Sequence, residues 1–279
     1  MGVTSRYRDA WEGFWAEVPG EEPGEVLWDA DPALTAGQHL ALYEPHIEAP
    51  GLTLVDLGCG NGTQTRYLAD RFPRVLGADL SPAAIALAET ARTARTARAG
   101  AGPSGDDDAA DPFADSSAES AGRDGAGDGP AGEIGFRVLD ATDQDAVAAL
   151  RAETGDCNVY MRGVLHQSDP KDRRALADGI ALLVGDRGRA FVVELAEAAG
   201  RRLARLAQSP AGPPPKLRPV FRHGIVPGAV ADSDVADYFT AAGLTVLAGG
   251  ELPLTTTEYE PDGSRIELPS LWLVVGRPR

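Results

Sequence analysis

The regular alternation of apolar strand segments with helical segments between Leu52 and Leu195 most constrains the fold of this chain. The five predicted strands cover residues 52–56, 74–79, 134–139, 157–161 and 189–195, and the predicted helices cover 62–72, 82–98, 143–152 and 170–184. Runs such as Ala190-Phe-Val-Val193 lack polar alternation, which is typical of strands buried on both faces. We therefore predict an α/β fold with a doubly wound, mainly parallel sheet and helices on both faces.

The last 48 residues follow a different pattern. A helix is predicted over 232–242, and two strands are predicted over 244–248 and 270–275. Pro261-Asp-Gly263 is a turn signal between two further extended stretches, so we expect the strands to continue into one long hairpin. This antiparallel pair would bring the sheet to seven strands.

Composition excludes several classes of protein. The chain has 279 residues with a formal net charge of −16, and it contains no apolar run long enough to cross a membrane. A negative field of this size repels phosphate backbones, so we expect neither a nucleic-acid partner nor a membrane partner. Cys59 and Cys157 have no metal-ligand spacing, and no secretory signal is visible near Met1. We expect a cytoplasmic protein without a metal site, and its oligomeric state is left open.

Half of the charge lies in one segment, since residues 104–133 hold nine acidic residues against one basic residue. The segment is otherwise rich in Gly, Ala and Ser, so it cannot bury enough apolar surface to offset its ordering entropy. We predict a disordered insertion over 100–133. The predicted organisation is an N-terminal helical cap over 1–50 and a core over 51–279. A second insertion at 197–231, which contains Pro213-Pro-Pro215, is expected to form the substrate pocket.

The strongest motif is Val55-Asp-Leu-Gly-Cys-Gly-Asn-Gly62, which lies directly between a strand and a helix. Alternate glycines allow a tight turn and let a ligand approach the backbone at the positive end of the helix. Asp79 ends the second strand and Asp140 ends the third, at the same carboxyl edge, where open α/β sheets bind ligands. The spacing predicts an adenosine site, in which Asp79 accepts hydrogen bonds from ribose hydroxyls. The bland alternative is that both acids only cap turns.

Asp56-x-Gly58-x-Gly60-x-Gly62, followed by Asp79 and Asp140-Ala141, resembles the class I S-adenosylmethionine-dependent methyltransferases over about residues 51–195. The pattern differs from the dinucleotide motif Gly-x-Gly-x-x-Gly, whose third glycine would fall at Thr63. The resemblance implies S-adenosylmethionine as cofactor and a Rossmann-like fold. The residues that it implies for cofactor binding are Asp56, Gly58, Cys59, Gly60, Asn61, Gly62, Asp79, Leu80, Asp140, Ala141 and Arg162. Cys59 is expected to be a small apolar filler within the turn.

The segment after the fourth strand, Tyr160-Met-Arg-Gly-Val-Leu-His-Gln-Ser-Asp-Pro170, is expected to face the transferred methyl group. It lacks the motifs that the family's nucleic-acid, metal-dependent catechol and arginine methyltransferases carry there, which leaves a metal-independent enzyme for a small-molecule acceptor. His166 is the catalytic candidate, as a general base for a hydroxyl or as a group that orients an amine or a carbon acceptor. A structural role for His166 is equally open. The functional alternative is a protein of this fold that binds S-adenosylmethionine without transferring methyl.

Two further groups are candidates for substrate binding. Tyr7, Trp11, Phe14 and Trp15 share one helix face, and with Trp28 they would form an aromatic lid or simply dock the helix on the core. Arg222 and His223 belong to a basic cluster that would bind an anionic substrate group or balance the acidic segment. Lysine is scarce while arginine and alanine abound, which is typical of GC-rich bacteria, in which many such enzymes act in secondary metabolism.

Overall fold

The computed structural model describes residues 7–20, 24–100, 132–209, 212–225, 228 and 230–278. The helices are α1 (Arg8–Glu17), α2 (Ala36–Tyr43), α3 (Thr63–Leu68), α4 (Pro82–Gly100), α5 (Gln144–Thr154), α6 (Pro170–Val184), α7 (Glu197–Ala207), α8 (Leu217–Arg222) and α9 (Asp232–Ala241). The strands are β1 (Thr53–Leu57), β2 (Arg74–Asp79), β3 (Glu133–Val138), β4 (Cys157–Arg162), β5 (Arg189–Leu195), β6 (Thr245–Glu251), β7 (Leu254–Tyr259), β8 (Arg265–Leu268) and β9 (Ser270–Gly276). The predicted insertion over 100–133 lies, apart from its ends, outside the described residues.

The seven-stranded sheet has the strand order β3-β2-β1-β4-β5-β9-β6. Strands β1 to β5 pair in parallel, whereas β9 pairs antiparallel with both β5 and β6. This confirms the predicted fold class and the antiparallel C-terminal pair. The order reverses between β1 and β4, so the turns that follow these two strands diverge and leave a crevice at the carboxyl edge of the sheet.

The prediction of one long C-terminal hairpin is wrong. Strands β6 and β9 extend the main sheet, while β7 and β8 form a separate two-stranded sheet. The breaks fall at Pro253 and Pro269, between the paired segments. Proline has no N–H to donate to a strand ladder, so pairing ends there and the outer hairpin takes its own direction. The hairpin is anchored to the N-terminal region, because the backbone N–H of Thr257 donates to the carbonyl of Leu27 at 2.9 Å.

Helices cover both faces of the main sheet. On one face, inward residues of β1, β4 and β5 pack against α5, α6 and α9, with Leu150, Ile180 and Phe239 fully buried. On the other face, α2 and α3 pack against Tyr160 and Phe191, whose rings stack at a centroid distance of 6.1 Å. Strands buried on both sides explain why their sequences show no polar alternation.

A second core lies beside the sheet edge. It joins α1, α7, α8 and the β7–β8 hairpin through buried residues that include Phe14, Trp15, Leu203, Leu217 and Ile266. The described part of the 197–231 insertion therefore packs against α1 through this core. In the described ranges, every helix is too short or too polar to cross a bilayer.

Candidate active site

The glycine turn between β1 and α3 has the backbone conformation that its sequence predicts. Gly58, Gly60 and Gly62 have φ of +75°, +55° and +74°, in the left-handed region that favours glycine. An added Cβ would lie 2.6 Å from Val164 Cγ2 at Gly58 and 2.6 Å from Trp15 Cζ2 at Gly60. The turn therefore depends on glycine for conformation and for close approach.

Two buried carboxylates hold this turn. The backbone N–H groups of Gly60 and Ser81 donate to Asp79 at 2.9 Å each. The Thr65 hydroxyl donates to Asp56 at 2.6 Å. Burial raises the pKa of Asp79, against these N–H donors, and raises the pKa of Asp56 to about 6. Asp79 lines the cavity described below. Asp56 is not among the lining residues and instead accepts from Thr65 in the first turn of α3.

Asn61 and Cys59 do not reach the cavity. The Asn61 amide and the Thr63 hydroxyl both donate to Asp29 at 3.0 Å, which ties the segment carrying Trp28 to the turn. Burial and the neighbouring carboxylates Asp79 and Asp56 raise the pKa of the Cys59 thiol. A thiol held in its protonated form is a poor nucleophile, which agrees with the predicted role of Cys59 as filler.

The third strand ends at a site that α1 covers. Asp140 accepts from the backbone N–H and the hydroxyl of Thr142, at 3.0 and 2.6 Å, and Arg8 Nη2 lies 3.4 Å from its other oxygen. Ala141 follows it and is partly buried against the sheet core. Neither Asp140 nor Ala141 is among the residues that line the cavity described below. Asp140 caps the turn at Thr142, which was the structural alternative. The role of both residues toward adenine stays a prediction.

Helix α1 also contacts the start of α4. The Glu12 carboxylate accepts from the Ser81 hydroxyl at 2.6 Å and from the Ala83 N–H at 3.0 Å. A carboxylate at a helix N-terminus satisfies free N–H groups and the positive end of the dipole. Sequence analysis missed Glu12, although an acid on the polar side of the aromatic stripe was a detectable signal.

A cavity of about 850 Å³ lies between the carboxyl edge of the sheet and α1. Its floor comes from the ends of β1, β2, β4 and β5, and its roof comes from α1, the Trp28 segment and the β7–β8 hairpin. The lining residues are Tyr7, Trp11, Trp15, Trp28, Gly58, Asp79, Leu80, Arg162, Gly163, Val164, His166, Gln167, Ser168, Leu195 and Leu254. The structure thus brings predicted cofactor residues, the catalytic candidate and the three tryptophans to one space.

His166 lies in a short 3₁₀ helix after β4 and is 6% exposed. Its Nδ1 is hydrogen-bonded to Oε1 of Glu194, near the end of β5. Its Nε2 contacts the side-chain amide nitrogen of Gln167. Sequence analysis missed Glu194. Its position near the carboxyl end of the buried strand β5, like those of Asp56, Asp79 and Asp140 on their strands, was a detectable signal.

The predicted cationic residues are divided between the cavity and the surface. Arg162 lines the cavity, and its Nη1 donates to the carbonyl of Trp28 at 2.9 Å. Arg222 and His223 do not line it, because they face Glu17 at 2.7 and 3.2 Å on the outer side of α1. Their predicted role in substrate binding has no support from this placement.

The residues of the cavity lining fit an adenosine-bearing cofactor. The glycine cradle would admit no Cβ at Gly58 or Gly60, and Asp79 and Leu80 offer a carboxylate and an apolar contact beside it. Among the described residues, no group of three or more His, Cys, Asp or Glu side chains is placed to hold a metal ion.

Comparison with known proteins agrees with this geometry. Residues 54–117 match the family model of a methyltransferase domain. Trans-aconitate 2-methyltransferase of Streptomyces avermitilis is 36% identical over 75 residues, which are 26% of this chain and 28% of that protein. The match thus spans less than a third of the curated relative.

Two solved structures extend the comparison to most of the chain. An S-adenosylmethionine-dependent methyltransferase from Anabaena variabilis aligns with a TM-score of 0.77 at 27% identity, covering 100% of this chain and 99% of that one. Magnesium protoporphyrin IX methyltransferase from Synechocystis, determined with S-adenosylhomocysteine, aligns with a TM-score of 0.52 at 16% identity, covering 88% and 83%. The second likeness concerns the fold alone.

The sheet order, the glycine turn and these matches place the chain among the class I S-adenosylmethionine-dependent methyltransferases. S-adenosylmethionine is the cofactor that the class implies and that the turn and Asp79 fit.

Proposed function

We propose that this protein transfers a methyl group from S-adenosylmethionine to a small-molecule acceptor without a metal ion. The observation that carries the proposal is the shared cavity, in which Gly58 and Asp79 lie on the same lining as His166 and the aromatic residues of the roof. A single cavity with a cofactor end and an acceptor end is what a two-substrate transfer requires.

The residues of the floor have distinct roles toward the cofactor in this proposal. Asp79 accepts hydrogen bonds from the ribose hydroxyls, Leu80 packs on the adenine, and the Gly58–Gly62 backbone holds the methionine part. Arg162 is placed to pair with the carboxylate of that part. Asp56 acts on the turn itself, through Thr65 at the start of α3.

S-adenosylmethionine supplies an electrophilic methyl group on a sulfonium centre, and the protein contributes position and exclusion of water. The roof residues Trp11, Trp15 and Trp28 shield the reacting centre, since their rings pack edge to face at centroid distances of 5.6 and 6.4 Å. His166 faces the acceptor from the floor.

A small acceptor is favoured by the chemistry of the cavity. Its lining is largely apolar with a few polar groups, which is typical of small-molecule sites. The curated relative is named for trans-aconitate, which is a polycarboxylate. Among the described residues one arginine, Arg162, lines this cavity, and it already donates to Trp28, so we expect a polyanionic acceptor to be disfavoured.

Calorimetric titration with S-adenosylhomocysteine, S-adenosylmethionine and NADH tests the cofactor half of the proposal. We expect the first two to bind and the Asp79→Asn variant to lose about tenfold or more in affinity, because hydrogen bonds to a charged carboxylate contribute roughly 1.5–3 kcal/mol. Asp237→Asn, on the exposed side of α9, is the matched control. Absence of binding by folded wild-type protein would contradict the proposal.

Release of S-adenosylhomocysteine in the presence of a broad panel of small acceptors tests the transfer half. Turnover with at least one acceptor supports methyl transfer. Binding of the cofactor without turnover on any member would instead favour the non-methylating alternative.

A further inference from the structure

We propose that Glu194 is a positioning residue that makes His166 a general base, and that the acceptor is a weakly acidic hydroxyl on a flat, largely apolar molecule such as a phenol. This inference rests on the proposed function and specifies its acceptor. The supporting observations are the hydrogen bonds of Glu194, the partners of Gln167 and the lining of the acceptor end.

Glu194 has a geometry that fixes the protonation pattern of the His166 ring. Its carboxylate is 1% exposed, and its two oxygens accept backbone N–H groups from Leu165 and Leu195 at 2.7 Å each. The remaining partner is Nδ1 of His166. A carboxylate is an acceptor, so Nδ1 carries the hydrogen, and in the neutral ring Nε2 then has the free lone pair.

The backbone on either side of His166 is also held in place. Arg173 Nε on α6 donates to the carbonyl of Leu165 at 3.0 Å, and the N–H of Gly228 donates to the carbonyl of His166 at 2.7 Å. Among the described residues, Glu194 is the charged group bonded to the ring, Arg173 holds the preceding carbonyl, and Arg162 and Asp79 lie elsewhere on the cavity lining. A base with a fixed ring plane and tautomer meets the geometric condition for general-base catalysis.

Gln167 marks the position that an acceptor hydroxyl would take. Its amide nitrogen contacts Nε2 of His166, and its Oε1 is buried with no partner among the described residues. A buried polar atom without a partner is costly, and here it lies on the lining of the cavity. An acceptor hydroxyl that donates to Nε2 would displace the Gln167 amide, which is then free to contact the acceptor.

The remaining lining selects against cationic acceptors. Trp11, Trp15, Trp28, Leu195 and Leu254 make much of the lining aromatic or aliphatic. Indole rings favour flat apolar partners by stacking or edge contact. An amine is protonated near neutral pH and would need a carboxylate, but Asp79 belongs to the cofactor end and Glu194 is buried behind His166. A neutral hydroxyl needs only the acceptor that Nε2 provides.

The methyl group moves from the sulfonium sulfur to the acceptor oxygen. A lone pair of the acceptor oxygen forms the new O–C bond to the methyl carbon, while the C–S bond breaks and its electron pair returns to sulfur. The hydroxyl proton passes to Nε2 of His166, and the resulting imidazolium is stabilised by Glu194. The imidazolium then releases the proton to water, which restores the base.

The experiment measures turnover of wild-type protein at pH 8 on 4-methoxyphenol, 4-chlorophenol and 4-nitrophenol, with 4-methoxybenzylamine as an amine of similar shape that is protonated at this pH. We expect transfer to the phenols and little to the benzylamine. His166→Gln is expected to lower kcat on 4-methoxyphenol by about 100-fold or more, the usual effect of losing a general base. The loss on 4-nitrophenol is expected to be much smaller, because that phenol is largely ionised at pH 8 and needs no base.

Glu194→Gln is expected to give the same dependence on phenol acidity with a smaller loss, and Glu194→Asp to restore part of the rate. Thermal unfolding and binding of S-adenosylhomocysteine check that each variant is folded, and His46→Gln is the control histidine. Added imidazole should raise the rate of His166→Gly on 4-methoxyphenol, which a merely structural histidine would not allow.

Three results would overturn the inference. They are an equal loss across the phenol series in His166→Gln, preferential methylation of the benzylamine, and wild-type protein that binds S-adenosylhomocysteine but methylates none of the phenols. In the third case the broad acceptor panel still tests the proposed function. A wild-type protein that binds no cofactor would refute both.

Discussion

The indole ring of Trp15 lies directly on Gly60, so that a Cβ at Gly60 would be 2.6 Å from Cζ2 and 2.8 Å from Cη2 of the ring. The same helix reaches Asp140 through Arg8 and the start of α4 through Glu12. Helix α1 therefore contacts the ends of all three strands that form the predicted cofactor site. We expect docking of α1 and binding of the cofactor to depend on each other.

Gly60→Ala tests the contact with Trp15. The new methyl group meets the indole, and alanine is strained at a φ of +55°, so we expect a loss of about 1–3 kcal/mol in unfolding free energy. We also expect weaker binding of S-adenosylhomocysteine and a change in tryptophan fluorescence as the ring moves. Gly51→Ala is the control, because a Cβ there meets nothing within 4 Å. Equal effects of the two variants would contradict the assigned contact.

Glu12→Gln tests whether α1 closes over the cofactor. The change removes the charge that accepts from Ser81 and Ala83, which is expected to weaken the α1–α4 contact by about 1 kcal/mol. S-adenosylhomocysteine should then dissociate several-fold faster, as measured by stopped-flow tryptophan fluorescence. Glu89→Gln, whose carboxylate pairs with Arg92 within α4, should leave the dissociation rate unchanged. An unchanged rate in Glu12→Gln would show that α1 does not retain the ligand.

Asp56 is expected to lower stability as pH rises. Its pKa is raised from 3.8 to about 6 by burial, so the folded state binds the proton more tightly than the unfolded state does. The favourable contribution is therefore complete below about pH 4 and is lost as pH rises through about 6, by up to roughly 3 kcal/mol. Asp56→Asn removes this dependence.

Urea unfolding at several pH values between 4 and 8 measures how the free energy of unfolding of each protein depends on pH. The stability of Asp56→Asn relative to wild type should increase across that range. A difference between the two proteins that does not change with pH would rule out the buried carboxylate as the cause.

Arg162→Met tests the cationic residue of the lining. If Arg162 pairs with the carboxylate of the methionine part, the variant should bind S-adenosylhomocysteine about tenfold more weakly, since a charge-assisted hydrogen bond contributes roughly 1.5–3 kcal/mol. It should bind 5′-methylthioadenosine, which lacks that carboxylate, as wild type does. Arg174→Met, on the exposed side of α6, is the control. If the variant bound both ligands equally more weakly, Arg162 would act by holding the Trp28 segment and not by pairing with the carboxylate.

The main sheet was predictable from sequence because its strands are short apolar runs with clear turn signals. The helix starts were also predictable where proline or a capping acid precedes them, as at Pro82 and at Asp143, whose carboxylate accepts from two N–H groups of α5. The split hairpin was not predicted, since turn residues around Gly263 indicate a hairpin but do not show where its pairing with the sheet ends.

The positions of Gly58, Asp79 and Leu80 on the cavity lining could be predicted because each residue is placed by the end of its own strand, while their roles toward the cofactor stay predictions. The contacts of Glu194, Glu12 and Asp29 could not be predicted, because the sequence shows where these acids lie but not their partners, which are 28 to 71 residues away. The prediction that Arg222 and His223 bind substrate lacks support for the same reason. A cluster of positive charge in the sequence does not show which carboxylate, here Glu17, neutralises it in the fold.

The break of the C-terminal hairpin at Pro253 and Pro269 separates the strands of the main sheet from a hairpin that contributes to the cavity roof. The floor is formed by turns of the parallel sheet. The roof comes from segments before β1 and after β5, including the free-standing hairpin that carries Leu254. Because the hairpin is a separate two-stranded sheet, a change confined to it would alter the roof at Leu254 and leave the strand ends of the floor in place.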